Sequence, residues 1–254
     1  MPQTGREPLL DNAYFEKTIH FKEQAIAEDR ADLASNPGQF LKIEGVYERL
    51  FRFQHHLWMA RYSQGTPVQE LKNSFPSIVQ AAEDLCQIDV RGIYAFNFST
   101  TLDNYVTALW LLSQACLLKV ESPLITRLLM CIGNEGKDLL LERLIAQIAP
   151  NKVRKPAKKL LYPKVYQPLY DALDISKEQQ LILIQQFLKN WYKRMSSTGW
   201  HDSHKGPGGG GFFGYWCWEA AGVAYAFGID DSSFRDLPYY PKDLADFART
   251  TPPA

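Results

Sequence analysis

Glu219 is the residue in this 254-residue sequence with the clearest capacity for chemistry. It is the one ionisable carboxylate in the stretch 212–227, which is otherwise aromatic, aliphatic, glycine or cysteine. A charge in such surroundings is costly unless it is paired and hydrogen-bonded. Two readings follow. A carboxyl group of perturbed proton affinity could act as a catalyst, and with His201 and His204 it would make a hydrolase or a metal-dependent enzyme. Alternatively it is a buried anchor for a polar partner such as His201, His204 or Lys205. No nucleophile, second carboxylate or metal cluster accompanies it in the sequence, so the anchor is the favoured reading.

The remaining candidates are weaker. His201-Asp202-Ser203-His204 offers two imidazoles and a carboxylate, the right donors for a metal, but the spacing fits no strong metal signature and no third or fourth ligand can be identified. It is read as a hydrogen-bonded corner that orients the helix after it. No metal and no cofactor are expected. There is no GxSxG nucleophile elbow. The glycine run at 206–211 is not followed by Lys-Ser/Thr, so it is a flexible loop and not a phosphate cradle. His55-His56 sits on an amphipathic helix, with one ring expected toward the core and the other toward solvent. Cys86, Cys116, Cys131 and Cys217 form no CxxC pair and lie in apolar surroundings, as buried reduced thiols do.

The elements that carry these residues are helical almost throughout. In 9–33, opened by Asp11 as N-cap, Phe15, Ile19, Ile26 and Leu33 recur at helical intervals, with Lys22 occupying the intervening place on the same stripe. Asn36-Pro37-Gly38 interrupts the chain. A second helix spans about 40–61 and ends near Gly65. Thr66-Pro67-Val68-Gln69 reads as a capping box with proline in the first turn, opening a helix to about Gln87. Others begin at 99–101, at Ser122-Pro123 and at Lys137. The segment 151–168, with Pro156, Pro163 and Pro168, reads as an interdomain connection. Ser176-Lys177-Glu178-Gln179 caps a helix carrying Leu181, Ile184, Leu188, Trp191 and Met195. A fully apolar helix is expected over 212–227, stopped by Gly228, and a last short one at Pro241. No apolar/polar alternation persists long enough for strands. The expected fold is therefore all-α: two packed helical subdomains, 1–150 and 151–254, forming a helical bundle.

Composition narrows the function. Apolar residues make up 46% and charged residues 22%, which suits a packed globular chain and not a disordered one. The net charge is zero, which argues against a nucleic-acid binder held by phosphate contacts. Residues 1–150 hold 14 Lys and Arg against 18 Asp and Glu, and six basic residues cluster between Lys152 and Lys164. Those six could serve a DNA-associated scaffold, although a solvated connector is the simpler reading. The N-terminus lacks the pattern of a signal peptide, and no stretch approaches the ~18 apolar residues of a membrane span. A cytoplasmic protein with no membrane partner is expected.

Three runs in the second half carry a further signal: Trp191-Tyr192-Lys193-Arg194; Trp200-His201-Asp202-Ser203-His204-Lys205; and Phe213-Gly214-Tyr215-Trp216-Cys217-Trp218-Glu219-Ala220-Ala221. They are continued by Asp230-Asp231-Ser232-Ser233-Phe234 and Tyr239-Tyr240-Pro241-Lys242-Asp243. This combination resembles the C-terminal domain of PoNi-type immunity proteins. Arg6-Glu7-Pro8-Leu9-Leu10, Tyr14-Phe15 and Tyr62-Ser63-Gln64-Gly65 are similar to that family's N-terminal domain. The glycine-rich loop is longer than the family's usual connection. The resemblance implies a non-catalytic, all-helical protein that protects producer and kin cells in interbacterial competition. It would do so by binding the toxic domain of a polymorphic toxin, commonly a type VI secretion nuclease.

On that reading Trp191, Trp200, His201, Asp202, His204, Tyr215, Trp216, Glu219, Asp230, Asp231, Tyr240, Pro241 and Asp243 maintain the fold. The toxin is met elsewhere. A nuclease cleft is basic, and carboxylates on an inhibitor can enter its field and speed association. The acidic candidates are Glu23, Glu28, Asp29 and Asp32 on the first helix with Glu44 and Glu48 on the second. The free protein is expected to be a monomer or a weak homodimer.

Overall fold

The computed structural model describes residues 5–98, 101–209 and 211–252. The first four residues, positions 99 and 100 of the expected fourth-helix start, and one glycine of the glycine run (Gly210) lie outside them. Among the described residues the chain forms ten α-helices and four short 3-10 turns, with no strand. They are α1 Asn12–Ser35, α2 Ile43–Gln64, α3 Val68–Ile88, α4 Leu102–Leu117, α5 Ser122–Ile132, α6 Leu139–Ile148, α7 Pro163–Asp171, α8 Lys177–Arg194, α9 Trp218–Ala226 and α10 Lys242–Thr250. The fold is all-α, as the periodicity predicts. No helix among the described residues is long and apolar enough to cross a membrane.

The helices gather into two compact units, Met1–Asn97 with Asp202–Gly214, and Phe98–His201 with Tyr215–Ala254. In the first unit α2 lies against both α1 and α3. Ile26 of α1 and Val46, Leu50 and Leu57 of α2 make an apolar cluster that Ile19, Leu33, Phe40 and Phe53 extend. Asp11 caps α1 by accepting from the Tyr14 N–H, and Gly65 ends α2 in the left-handed region at φ 111°. Trp58 stacks on Tyr62 and donates to the Leu71 carbonyl on α3. The glycine-rich segment belongs to this unit. Tyr14 Oη donates to the carbonyls of Gly209 and Phe212, and Ser63 donates to that of Phe213. Gly209 is left-handed (φ 84°), and a Cβ there would lie 2.2 Å from Cε2 of Tyr14. Its described part is thus a packed turn, where composition alone indicated a flexible loop.

In the second unit α4 packs on α9, and α7 on α8. The α4–α9 approach requires small residues: a Cβ on Gly222 would lie 2.4 Å from Cβ of Ser113. Asp138, fully buried, caps α6 through the Leu141 N–H and also accepts from Tyr105 Oη and the Leu161 N–H. Arg154 forks onto Glu142, and the Leu139 N–H donates to the Lys159 carbonyl. The segment 151–162 is therefore strapped along α6 within one unit.

Several local expectations differ from the structure. The 212–227 run is helical only from Trp218. Gly214 at φ 98° interrupts it, and the Cys217 N–H donates to the carbonyl of Tyr239 and not to a preceding turn. Thr66 forms no capping box, since Pro67 holds the cap position without a side-chain hydrogen bond. Helix α7 lies where a proline-rich connection was expected; proline at its first position costs no hydrogen bond there. His55 is buried and His56 half-buried, so neither ring is turned fully to solvent. His56 contacts the Phe213 ring, and burial pushes its imidazole well below the ordinary range. Cys217 alone is a fully buried thiol, while Cys86, Cys116 and Cys131 are partly exposed.

Candidate functional site

Glu219 lies in the first turn of α9, with no exposed surface. Its Oε1 accepts from Trp191 Nε1 at 2.7 Å and Tyr166 Oη at 3.2 Å, and its Oε2 from Trp110 Nε1 at 2.8 Å. These donors come from α8, α7 and α4. Burial pushes the carboxyl up to about 7, against the pull of its own N–H and of Trp191, Trp110 and Tyr166. Burial beside the carboxylate also raises Tyr166 and Cys217 well above their usual ranges. Two indoles and a phenol held in this way neither transfer protons at neutral pH nor act as nucleophiles. Their geometry saturates one carboxylate and fastens four helices to it.

Sequence reasoning found Glu219 but not its partners. Trp110 is hidden in the apolar run of α4, and Tyr166 falls in the segment taken as a connection. The expected partners do other things. His201 stacks on Tyr192, with ring centroids 4.3 Å apart. His204 sits in the first unit with its ring near Phe212. Lys205 pairs with Asp202 at 2.9 Å. Among the described residues no three or more His, Cys, Asp or Glu side chains gather as metal ligands would.

The other motif residues also lie in packed surroundings. Trp200 contacts the rings of Trp110, Trp191 and Tyr215. Trp216 lies against Trp218. Asp231, 2% exposed, accepts from Tyr240 Oη and Arg249, with Arg235 at 3.6 Å. Asp230 is exposed and takes the N–H and hydroxyl of Ser232 in a tight turn. Pro241 is the buried cap residue of α10 and Asp243 stands in its first turn, where a carboxylate suits the helix dipole.

The acidic candidates separate into two groups. Asp29 is 8% exposed and grips Arg49 through both oxygens, continuing the buried stripe of Ile26 and Leu33. That three-residue step from Ile26 is the signal that it faces inward. Glu23 pairs with Arg61 at 2.5 Å and Glu48 with Arg52 at 3.2 Å. Glu44 is half-exposed in the first turn of α2. Glu28 and Asp32 are exposed on α1, and among the described residues neither is in an ion pair. One helical turn apart, they present adjacent carboxylates to solvent.

Comparison with known proteins places this geometry in a family context. The family described as "PoNe immunity protein (PoNi), N-terminal" matches residues 6–130, and "PoNe immunity proteins (PoNi), C-terminal" matches residues 136–244. No curated protein matches the chain. Among solved structures, the crystal structure of protein PA2201 from Pseudomonas aeruginosa is similar in fold. Its TM-score is 0.70 at 18% sequence identity, over 98% of this chain and 92% of that one.

Proposed function

Because the chain belongs to the family of PoNe immunity proteins (PoNi), and so confers immunity to a polymorphic toxin without being an enzyme, we propose that it binds the toxic domain of a nuclease effector of type VI secretion in the cytoplasm and occludes its basic cleft. The observation that carries this reading is the contrast on α1 and α2. Asp29, Glu23 and Glu48 are bound to arginines of the protein itself, whereas Glu28 and Asp32 face solvent without one. Exposed carboxylates free of internal cations can enter a field built to attract phosphate, raising the association rate and covering the cleft. The buried motif of the second unit holds the scaffold together. On the same reading the chain carries an N-terminal family domain at 1–150 and a C-terminal one at 151–254. Nucleic acid and membrane are not partners on this reading, and the free protein is a monomer or weak homodimer.

The test is protection of cells. The toxin encoded by the neighbouring reading frame is expressed with or without this protein, and chromosomal DNA integrity and viability are scored. Intact DNA only in the presence of this protein is the expected result. Glu28→Lys with Asp32→Lys should remove protection and weaken complex formation at least about tenfold while the helical content stays the same. A toxin that kills without damaging DNA overturns the nuclease assignment. Full protection by the charge-reversed protein overturns the electrostatic one.

A further inference from the structure

Lys22 lies on the buried stripe of α1, between Ile19 and Ile26, and is only 4% exposed. A desolvated ammonium normally has a carboxylate beside it. Among the described residues no carboxylate pairs with Lys22. Its Nζ stands 4.5 Å from the centroid of the Phe53 ring, and the Arg52 guanidinium lies 5.8 Å from the same ring. Burial first, and the Arg52 charge second, push the amine down to about 8, and Lys22 in turn helps to depress His56. At pH 7 the amine still carries its proton.

The same residue opens on a cavity of about 330 Å³ within the first unit. Tyr14, Lys17, Thr18, Phe21 and Lys22 of α1 and the backbone of Gly208 and Gly211 line it. Tyr14 fixes the glycine turn across it through its bonds to Gly209 and Phe212. Phe21 is 59% exposed, an aromatic face at the rim, and Lys17 adds a second cation from the solvent side. A volume at the small end of the ordinary ligand-pocket range, aromatic walls and a buried cation are the features of a site for a compact organic anion.

We propose that this cavity binds a small monocarboxylate with an apolar body, its carboxylate on the Lys22 ammonium and its body between Tyr14 and Phe21. The anion supplies the counter-charge that the fold does not. Charge selects the ligand against neutral isosteres, and the volume and the aromatic walls favour a short aryl or alkyl chain over an inorganic anion. The site is independent of the immunity reading, since it is complete in one unit of the free protein.

The experiment titrates the full-length protein with 3-phenylpropionate and, separately, with its neutral isostere 3-phenylpropanamide at pH 7, by calorimetry or NMR. The acid should bind, and the amide at least about tenfold more weakly, as expected for loss of one charge-assisted hydrogen bond in a desolvated site. Lys22→Met should reduce the acid to the level of the amide, and Lys17→Met should have a smaller effect. Equal binding of acid and amide, or no binding of the acid at millimolar concentration, overturns the proposal. So does unchanged affinity in Lys22→Met. Were that variant not to fold, the acid–amide comparison on the wild-type protein decides the matter alone.

Discussion

Glu219 and Lys22, one in each unit, are both buried, and they are treated in opposite ways. Glu219 receives three hydrogen bonds from α4, α7 and α8 and has no exposed surface. Lys22 has the face of Phe53, a neighbouring arginine and an open cavity. The difference teaches how to tell a structural charge from one available to a ligand. A buried charge whose valences are all met within the fold organises helices, whereas one left with an unmatched charge beside empty volume can still acquire a partner.

The sharpest break of this comparison is Glu219→Ala. It leaves Trp110, Tyr166 and Trp191 without an acceptor and opens a cavity, so a loss of about 3–5 kcal/mol in urea denaturation is expected. A loss below about 1 kcal/mol would mean that the carboxylate does not hold the four helices together. Next comes Gly222→Ala, which drives a methyl group into Ser113 across the α4–α9 contact and should cost about 1–3 kcal/mol by the same measurement.

The pH dependence of stability should separate the two charges by sign. The Glu219 carboxyl titrates at about 7 in the folded chain and near its ordinary value of 4.5 when unfolded. Between those values the unfolded state gives up its proton first, so stability falls as pH rises toward 7, by at most about 3 kcal/mol, and then levels. Lys22 titrates at about 8 folded against 10.5 unfolded. Below 8 both states hold the proton and the folded state bears the burial penalty. Between 8 and 10.5 the folded amine is neutral first, so stability climbs by at most about 3 kcal/mol. Glu219→Gln should flatten the first limb. Lys22→Met should flatten the second and raise stability at pH 7 by about 1–3 kcal/mol. Destabilisation by Lys22→Met would show that the cation over Phe53 outweighs its desolvation.

The smallest effect on folding belongs to the exposed pair. Charge reversal at Glu28 and Asp32 should leave the denaturation midpoint within about 0.5 kcal/mol of wild type while weakening the toxin complex. A large stability change would make these residues part of the fold.

Much of this was legible because it is local. Asp11 and Ser176 accept from the N–H three residues on, and Gly65 takes the left-handed turn that ends α2. A helix cap involves four neighbouring residues, so sequence contains all of it. The odd place of Lys22 on an apolar stripe was visible for the same reason, although the cavity beside it was not. Where the chain departed from expectation, a distant group had intervened. Thr66 gives its carbonyl to Arg6, 60 residues earlier, and caps nothing. The apolar run before Trp218 is not helical: Gly214 is left-handed, and the Cys217 N–H is bonded to the distant Tyr239 carbonyl. Asp29 looked like a surface carboxylate until Arg49 was found to hold it from the next helix.

By itself, then, the sequence determined that the chain is helical, approximately where its helices run, and that one carboxylate and one lysine lie on apolar faces, because period, caps and glycine stops act over a few residues. Tertiary structure alone determined what those two charges meet. The donors to Glu219 stand 28, 53 and 109 residues away along the chain. The absence of a carboxylate pairing with Lys22 among the described residues depends on how α1, α2 and the glycine turn come together. The free energy of a buried charge is fixed by neighbours in space, and nothing in linear spacing specifies them.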